Sequence, residues 1–600
     1  MGTIKAQKID RAEPLSWWVG METPLQIMFY GEGLHGATVS CSGEGVTVTK
    51  VYPAQNDRYL FADVSVAADA RPGEYTFVIR GGRGETAYKY RIDERRKGSR
   101  DRKSFTSADA VYLLMPDRFA NGDPSNDDTP DTREKADRSD KHGRHGGDIQ
   151  GIIDRLDYLA DLGVTAVWST PLLLDDEPTY SYHGYACADY YRIDPRYGSN
   201  ELYRTMVDEA HRRGLKVIMD MVPNHCGAAH RWMEALPLPD WVHMFDTFTQ
   251  TNNAFSTAAD PNASQADKAR CVDGWFDKPM PDMNLENPFV LNYFTQWAVW
   301  WIEWAGLDGL RVDTFPYNPK EQAARWVRAI RAEYPNLNIV GECWTSSPAL
   351  AAYWDGDSDN RDGYSSGLPS VMDFPLQEAL AGAFRKDTVG WGEGLAKVYD
   401  VLAHDFLYPD PRKLMIFAGN HDTDRLAWFI RSDPDKAKLV MTMLATLRGV
   451  PQLYYGDEVM LLGDRKEGHG GQRIDFPGGW ACDKTDLFSD RKRTPARAQV
   501  FDHTRRLFNW RKGAKAVHEG RTLHFLPVGE VYVYFRYTDE QCVMVVVNGS
   551  RERQTLDWSR FAEMTDGYSA GTDILSGRAF RIGEPVGVEP VGSMVIELKR

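Results

Sequence analysis

The chain has few cysteines for its length, and they are not paired. Seven cysteines are scattered over 600 residues, with no C-x-x-C spacing and an odd total. Zinc sites and disulfide frameworks need clustered or paired cysteines, so the sequence disfavours both. The seven are Cys41, Cys187, Cys226, Cys271, Cys343, Cys482 and Cys542.

Long apolar runs and basic blocks are also missing. No stretch of about 18 consecutive apolar residues occurs, which argues against a membrane-spanning helix. The net charge is −15, from 71 basic and 86 acidic residues, and no Lys/Arg-rich block offsets it, so we expect no nucleic-acid partner. The N-terminus MGTIKAQKIDRAEP has no apolar signal-peptide region. We therefore expect either a cytoplasmic protein or a sequence that begins after a removed signal.

The length is too great for one ordinary domain, and the pattern of elements predicts several. Seven short segments rich in β-branched and aromatic residues lie between about residues 11 and 95, separated by Gly, Pro and Asn, which predicts an N-terminal β-sandwich over 1–98. The charged linker DERRKGSRDRKS follows. The C-terminal segments HFLPVG, VYVYFRYT, QCVMVVVNG and SMVIELKR predict a second β-sandwich over 516–600.

Between the two sandwiches, eight apolar strand candidates alternate with amphipathic helices, which predicts a (β/α)₈ TIM barrel. We assign its first part to 99–225 and its second part to 289–515. Residues 226–288, after the third barrel strand, are predicted to be a small inserted subdomain. A long insertion after a barrel strand usually has a functional role.

Polar residues stand where the predicted strands end. The third strand carries Asp220 and is followed by His225, and the fourth carries Arg311 and is followed by Asp313. Glu342 follows the fifth strand, and the seventh is followed by His421 and Asp422. Because the strands of a barrel end on one face, these side chains are expected to share one cleft.

Two carboxyl groups with different roles suit glycoside hydrolysis. We expect Arg311 to keep Asp313 ionised, and burial to raise the pKa of Glu342 so that it holds a proton. His225 and His421 could bind sugar hydroxyls. The rival interpretation is a metal site of two His and a carboxylate, but the spacing typical of such sites is absent.

The segments DMVPNH, GLRVD, GECW and GNHD resemble the four signature segments of the α-amylase family of retaining glycoside hydrolases. YHGYACADYY, MPDMN and GVPQLYYGDE match its supporting segments. The resemblance implies that Asp313 is the nucleophile, Glu342 the general acid/base and Asp422 the transition-state stabiliser.

The same resemblance implies roles around these three carboxyls. Arg311 would orient Asp313, and Asp220 would support Arg311. The sugar would be contacted by His225, His421, Tyr185 through ring stacking, and His183 nearby. Trp344 adjoins the site, where stacking on sugar and packing in the wall are both open.

Within the family, the N-terminal sandwich and MPDMN resemble the neopullulanase, cyclomaltodextrinase and maltogenic amylase group. QRIDFPGGW is similar to periplasmic neopullulanases of Bacteroidetes, which implies a periplasmic location, and dimers in this group imply a homodimer by analogy. TFPYN after Asp313 and CWTSS after Glu342 depart from the group's pattern, so α-1,4 against α-1,6 cleavage stays open. We predict a retaining α-glucan hydrolase acting on maltodextrins, cyclodextrins or pullulan. The alternatives are an α-glucoside isomerase or transferase and a non-catalytic glucan-binding protein.

A loop after the first barrel strand, DRFANGDPSND, is rich in short oxygen donors. Such loops are often plain turns, but hard cations also bind six to eight oxygens from compact loops. The resemblance implies a structural calcium ion here and no organic cofactor. The expected ligands are Asn121, Asp123, Asn126, Asp127, Gly146 and Asp148.

Overall fold

The computed structural model describes residues 7–82, 84–386, 390 and 392–600. The N-terminal region forms two four-stranded sheets, as predicted, while residues 1–6 of that predicted domain lie outside the described residues. One sheet contains Lys8–Glu13, Leu25–Glu32, Val46–Pro53 and Tyr59–Val66. The other contains Ser16–Trp18, Thr38–Ser42, Gly73–Gly81 and Gly84–Asp93. Trp17 and Trp18 of the second sheet are both buried, so they belong to the core.

All eight predicted barrel strands are present and hydrogen-bonded as parallel neighbours. A parallel bridge between Met372 and Met415 joins the sixth strand to the seventh and closes the barrel. In chain order the strands are Val111–Leu114, Ala166–Ser169, Lys216–Met221, Gly309–Val312, Asn338–Gly341, Ser370–Val371, Met415–Phe417 and Val450–Tyr454.

Helices pack around the barrel, and each of the longer ones buries apolar side chains. The longer ones are Ile149–Leu162, Asn200–Arg212, Pro288–Trp301, Lys320–Glu333, Phe374–Arg385, Leu395–Leu402, Pro434–Thr446 and Pro495–Arg511. Short helices are Pro116–Phe119, Arg231–Glu234, Pro348–Tyr353, Leu426–Phe429, Gly468–Gln472, Lys515–His518 and Ala562–Thr565. In the part of the chain that the structure describes, no helix is both long and apolar enough to cross a membrane.

The segment 226–288 projects from the end of the third strand and has little regular structure. Its longest helix is Gln265–Asp273, and its extended parts are joined by isolated bridges, including Gln250 with Trp275 and Val242 with Met283. A small antiparallel pair, Leu173–Leu174 with Asp189–Ile193, follows the second strand. These two excursions extend the barrel on the side where the strands end.

The C-terminal region is again antiparallel β-structure. A six-stranded sheet contains Arg521–Val528, Val531–Tyr537, Cys542–Asn548, Ala570–Asp573, Ala579–Arg581 and Gly592–Lys599. Gln554–Thr555 pairs with Gly587–Val588 beside it. Both β-regions therefore flank a single central barrel, as the sequence predicts.

Candidate active site

The carboxyl ends of the barrel strands surround one cavity of about 890 Å³. Asp313, Glu342 and Asp422 all line it, together with His225 and His421. The prediction that these strand ends converge is therefore confirmed by the structure.

A buried arginine, Arg311, contacts two of the carboxyl groups that line the cavity. Asp220 and Arg311 are register partners on adjacent strands, and Arg311 Nη1 lies 3.0 Å from Asp220 Oδ1. The same nitrogen donates a 2.6 Å hydrogen bond to Asp313 Oδ1, and Nη2 lies 3.0 Å from Glu342 Oε1. A buried charge is stable only when it is paired, and here one guanidinium serves three carboxyl groups.

Burial separates the protonation states of the two central carboxyls. It raises the pKa of Glu342 to about 8, against the opposing effect of Arg311, which confirms the expected direction. Burial also raises the pKa of Asp313 to about 6, although Arg311 lowers it. The expected influence of Arg311 on Asp313 is present, but desolvation exceeds it. Between these two pKa values Asp313 is ionised while Glu342 holds a proton.

Asp422 has a different environment. Burial would raise its pKa, but nearby positive charge outweighs burial, and the pKa of Asp422 lies well below its usual range. Arg473 Nη2 donates a 2.8 Å hydrogen bond to Asp422 Oδ1. Burial lowers the pKa of His421 to about 3, so His421 is neutral near pH 7 and Arg473 supplies the charge. The sequence does not predict a role for Arg473, because this residue lies 51 positions beyond Asp422 in an irregular loop.

Tyr185 links two sides of the cavity floor. Its ring stacks on that of His421 at 5.5 Å with an interplanar angle of 6°. Its hydroxyl lies 3.0 Å from Asp220 Oδ2 and 2.7 Å from His421 Nε2. The backbone amide of Tyr185 donates to Nδ1 of His183 at 2.9 Å. One face of the Tyr185 ring is therefore packed against His421 within the protein.

His225 has an unused nitrogen that faces the site. Its Nδ1 lies 3.0 Å from Asn224 Oδ1, and its ring stacks on Phe276 at 5.3 Å. Its Nε2 is buried without a hydrogen-bond partner among the described residues. An orphaned buried nitrogen in a cleft can bind a hydroxyl group of a ligand.

The aromatic residues near the strand ends divide into wall and surface. Phe315 is buried and packs edge-on against Trp354, so it belongs to the wall. Tyr317 lines the cavity and packs edge-on against Phe276 at 5.5 Å. Trp344 stacks on Phe374 at 5.2 Å, yet it is 41% exposed. It therefore presents a ring face to the cleft.

The oxygen-rich loop after the first strand folds on itself. Among the described residues, Asn121 Oδ1 and Asn126 Oδ1 are buried and have no hydrogen-bond partner, and Asp127 Oδ1 accepts a 2.8 Å hydrogen bond from Asn121. Gly146 has φ of 86°, and a Cβ there would lie 2.5 Å from Asp127 Oδ1, so only glycine fits.

The remaining two predicted ligands shape this loop through hydrogen bonds. Asp148 accepts from the amides of Gly122 at 3.0 Å, Asp123 at 2.8 Å and Gly151 at 2.6 Å. Asp123 Oδ1 accepts from the hydroxyl of Ser125 at 2.6 Å. Within the described ranges, no three His, Cys, Asp or Glu side chains form a metal-binding group. A cation here would therefore rely on amide and carbonyl oxygens as well.

Comparison with known proteins covers nearly the whole chain. A model of the α-amylase catalytic domain matches residues 113–541. Models of the cyclomaltodextrinase N-terminal and C-terminal domains match 11–96 and 522–597. These matches agree with the predicted barrel and its two flanking domains.

Individual relatives and a solved structure also match most of the chain. A cyclomaltodextrinase of Geobacillus thermopakistaniensis is 28% identical over 458 residues, covering 74% of this chain and 68% of the relative. Neopullulanase 2 of Thermoactinomyces vulgaris is 28% identical over 534 residues, covering 84% and 82%. The crystal structure of an Anoxybacillus α-amylase superimposes with a TM-score of 0.68 at 26% identity, covering 82% of this chain and 98% of that one.

Proposed function

The chain belongs to the α-amylase family of glycoside hydrolases, and we propose that it cleaves α-1,4-glucosidic bonds of maltodextrins or cyclodextrins with retention of configuration. The observation that carries this proposal is the shared contact of Arg311 with Asp313 and Glu342. Carboxyl groups held on one guanidinium are close together. Retaining glycosidases use a separation of about 5–5.5 Å, and inverting ones a wider separation of about 6.5–9.5 Å.

The first half of the reaction uses the two protonation states. The ionised Asp313 attacks the anomeric carbon, while the protonated Glu342 donates its proton to the departing glycosidic oxygen. The bond from sugar to Asp313 forms as the glycosidic bond breaks, which leaves a glycosyl ester on Asp313.

In the second half, Glu342 has lost its proton and acts as the base. It removes a proton from a water molecule that attacks the anomeric carbon, and the ester bond to Asp313 breaks. Asp422 stays ionised throughout and stabilises the positive charge that develops on the sugar ring. The neutral His225 and His421 can bind sugar hydroxyls without adding charge.

Cleavage of α-1,6 bonds, as in pullulan, is a second candidate. It is favoured by the similarity to a neopullulanase over 84% of this chain. Tyr317, from the TFPYN segment, lines the cavity beside Phe276 and would contact the sugar on either side of the bond.

Product analysis separates these activities from the alternatives. Chromatography of reactions with maltoheptaose, β-cyclodextrin, pullulan and sucrose should show shorter linear maltooligosaccharides from the first two. Panose from pullulan would show α-1,4 cleavage, and maltotriose would show α-1,6 cleavage. Isomeric products without net hydrolysis would indicate an isomerase, and unchanged substrates would indicate a binding protein.

We also propose that the loop after the first barrel strand binds calcium. The support is the pair of orphaned oxygens, Asn121 Oδ1 and Asn126 Oδ1, beside the Asp127 carboxylate. Backbone oxygen from Gly146 and the carboxylates of Asp123 and Asp148 would complete an oxygen-rich site of the kind calcium prefers. The ion would be structural and has no part in the steps above.

A further inference from the structure

Large apolar side chains stay exposed in the cavity lining and on the 226–288 segment, which contributes residues to that lining. Tyr180 and Trp344 line the cavity and are 50% and 41% exposed. The 226–288 segment adds Met244, Phe245 and Phe248, which are 54%, 39% and 42% exposed. We call these three residues the outer patch. They stand within five positions of the chain, and grouped exposed apolar side chains usually mark a binding surface.

Phe248 places the outer patch next to the cavity wall. The ring of Phe248 lies 6.2 Å from that of Trp275, and Lys278 Nζ lies 6.0 Å from the Phe248 ring. Phe276 and Lys278 belong to the cavity lining. A ligand that leaves the cavity along Phe276 and Lys278 therefore meets Phe248 next.

The backbone that carries the patch is fixed to the active site. Trp275 Nε1 donates a 2.6 Å hydrogen bond to the carbonyl of His243, and His243 Nδ1 lies 2.7 Å from Asp282 Oδ2. Asn224 Nδ2 donates to Asp282 Oδ1 at 3.2 Å and directly precedes His225. The patch is thus preorganised relative to the cleft, which lowers the entropic cost of binding there.

We propose that Met244, Phe245 and Phe248 form a distal platform for an α-glucan chain whose reacting bond lies in the cavity. This inference rests on the proposed function. The C–H faces of glucose rings are apolar and can pack on aromatic rings, and only a chain-like ligand occupies the cavity and the adjoining patch at once. The platform would favour long chains over short ones.

Chain-length dependence tests the platform. We would measure kcat/KM of the parent and of a Phe245→Ala/Phe248→Ala variant on maltotriose, maltoheptaose and amylose. The variant should match the parent on maltotriose. On amylose its kcat/KM should fall about ten- to a hundredfold through a higher KM, because each of the two lost ring contacts corresponds to about a three- to tenfold factor.

Three controls keep the result interpretable. Phe406→Ala removes an equally large side chain that is 78% exposed and lies outside the cavity lining, and it should change nothing. Phe248→Tyr keeps a flat ring and should retain the parental preference for long chains. Thermal unfolding checks that the double variant is folded; if it is not, the single variant Phe248→Ala takes its place.

The outcomes distinguish this inference from the proposed function. If the parent cleaves no α-glucan, the proposed function is wrong. If the parent cleaves all lengths and the double variant keeps the parental ratio of amylose to maltotriose, only the platform is wrong. A change in sedimentation coefficient with an unchanged ratio would show that the patch joins two copies of the chain, which also overturns the platform.

Discussion

Arg473 donates a 2.8 Å hydrogen bond to Asp422, and its Nε donates another of 2.8 Å to the backbone carbonyl of His421. It thereby fixes both the position and the charge of Asp422. Replacing it with Gln leaves a carboxylate in the cavity without its cation, so the pKa of Asp422 should rise. We expect kcat of Arg473→Gln to fall by about 10²–10³-fold.

The charge-conserving variant separates this electrostatic role from simple packing. Arg473→Lys keeps the charge but not the forked geometry, so it should lose less kcat than Arg473→Gln does. The acid limb of kcat/KM should stay at the pKa of Asp313 in both variants. Equal losses of kcat in the Lys and Gln variants would assign Arg473 to packing and geometry and not to its charge.

Asp313→Asn should abolish turnover without unfolding the protein. Arg311 keeps Asp220 and Glu342 as partners, so no charge is left unpaired. We expect kcat to fall by on the order of 10⁴-fold, measured as reducing ends released from maltoheptaose. The matched control is Asp502→Asn, whose side chain is 58% exposed and which should retain the full rate. An Asn variant with substantial activity contradicts the covalent mechanism.

Glu342→Gln should be sensitive to the leaving group. Natural glycosidic oxygens need a proton to depart, so hydrolysis of maltotriose should slow by about 10²–10⁴-fold. A 4-nitrophenyl α-maltoside releases a stabilised phenolate and needs little acid assistance in the first step. The initial burst of nitrophenol released from this substrate, followed by absorbance, should therefore be reduced much less. Equal losses on both substrates would be inconsistent with a general acid.

Activity should follow a bell-shaped pH profile set by two buried carboxyls. The nucleophile is lost as the pH falls through the pKa of Asp313, about 6, because its carboxylate is then protonated. The acid is lost as the pH rises through the pKa of Glu342, about 8, because its proton then leaves. The profile of kcat/KM on maltotriose should therefore peak near neutral pH. A single limb would show that one of the two assignments is incorrect.

The sequence predicted the parts of the site that follow from regular structure. Arg311 and Asp313 lie on one strand with period two, and Glu342 follows the next strand, so the barrel rule places them together. The edge strand Lys8–Glu13 was not among the predicted strands, because most of its side chains are polar.

The remaining features depend on tertiary packing. Arg473 reaches Asp422 from an irregular loop, so no spacing rule connects them. The pKa of Asp313 is raised by burial and lowered by Arg311, and the net result depends on how much water the folded cleft excludes. The outer patch likewise requires knowing that Phe248 remains exposed, which alternation and periodicity in an irregular insertion do not indicate.

Calcium should stabilise the protein through the loop after the first barrel strand. A ligand at about 100 times its dissociation constant adds about 2.7 kcal/mol to the free energy of unfolding. Excess EGTA should therefore lower the Tm by several degrees relative to millimolar calcium, as measured by scanning calorimetry.

Burial raises the pKa of Asp127 to about 6, so the calcium-dependent increase in Tm should shrink as the pH falls below that value and Asp127 takes up a proton. Asp127→Asn should have the same Tm in calcium and in EGTA. Asp131→Asn, in the same loop with a side chain that is 59% exposed, should keep the full response. An identical Tm for the parent in calcium and in EGTA would exclude the proposed ion.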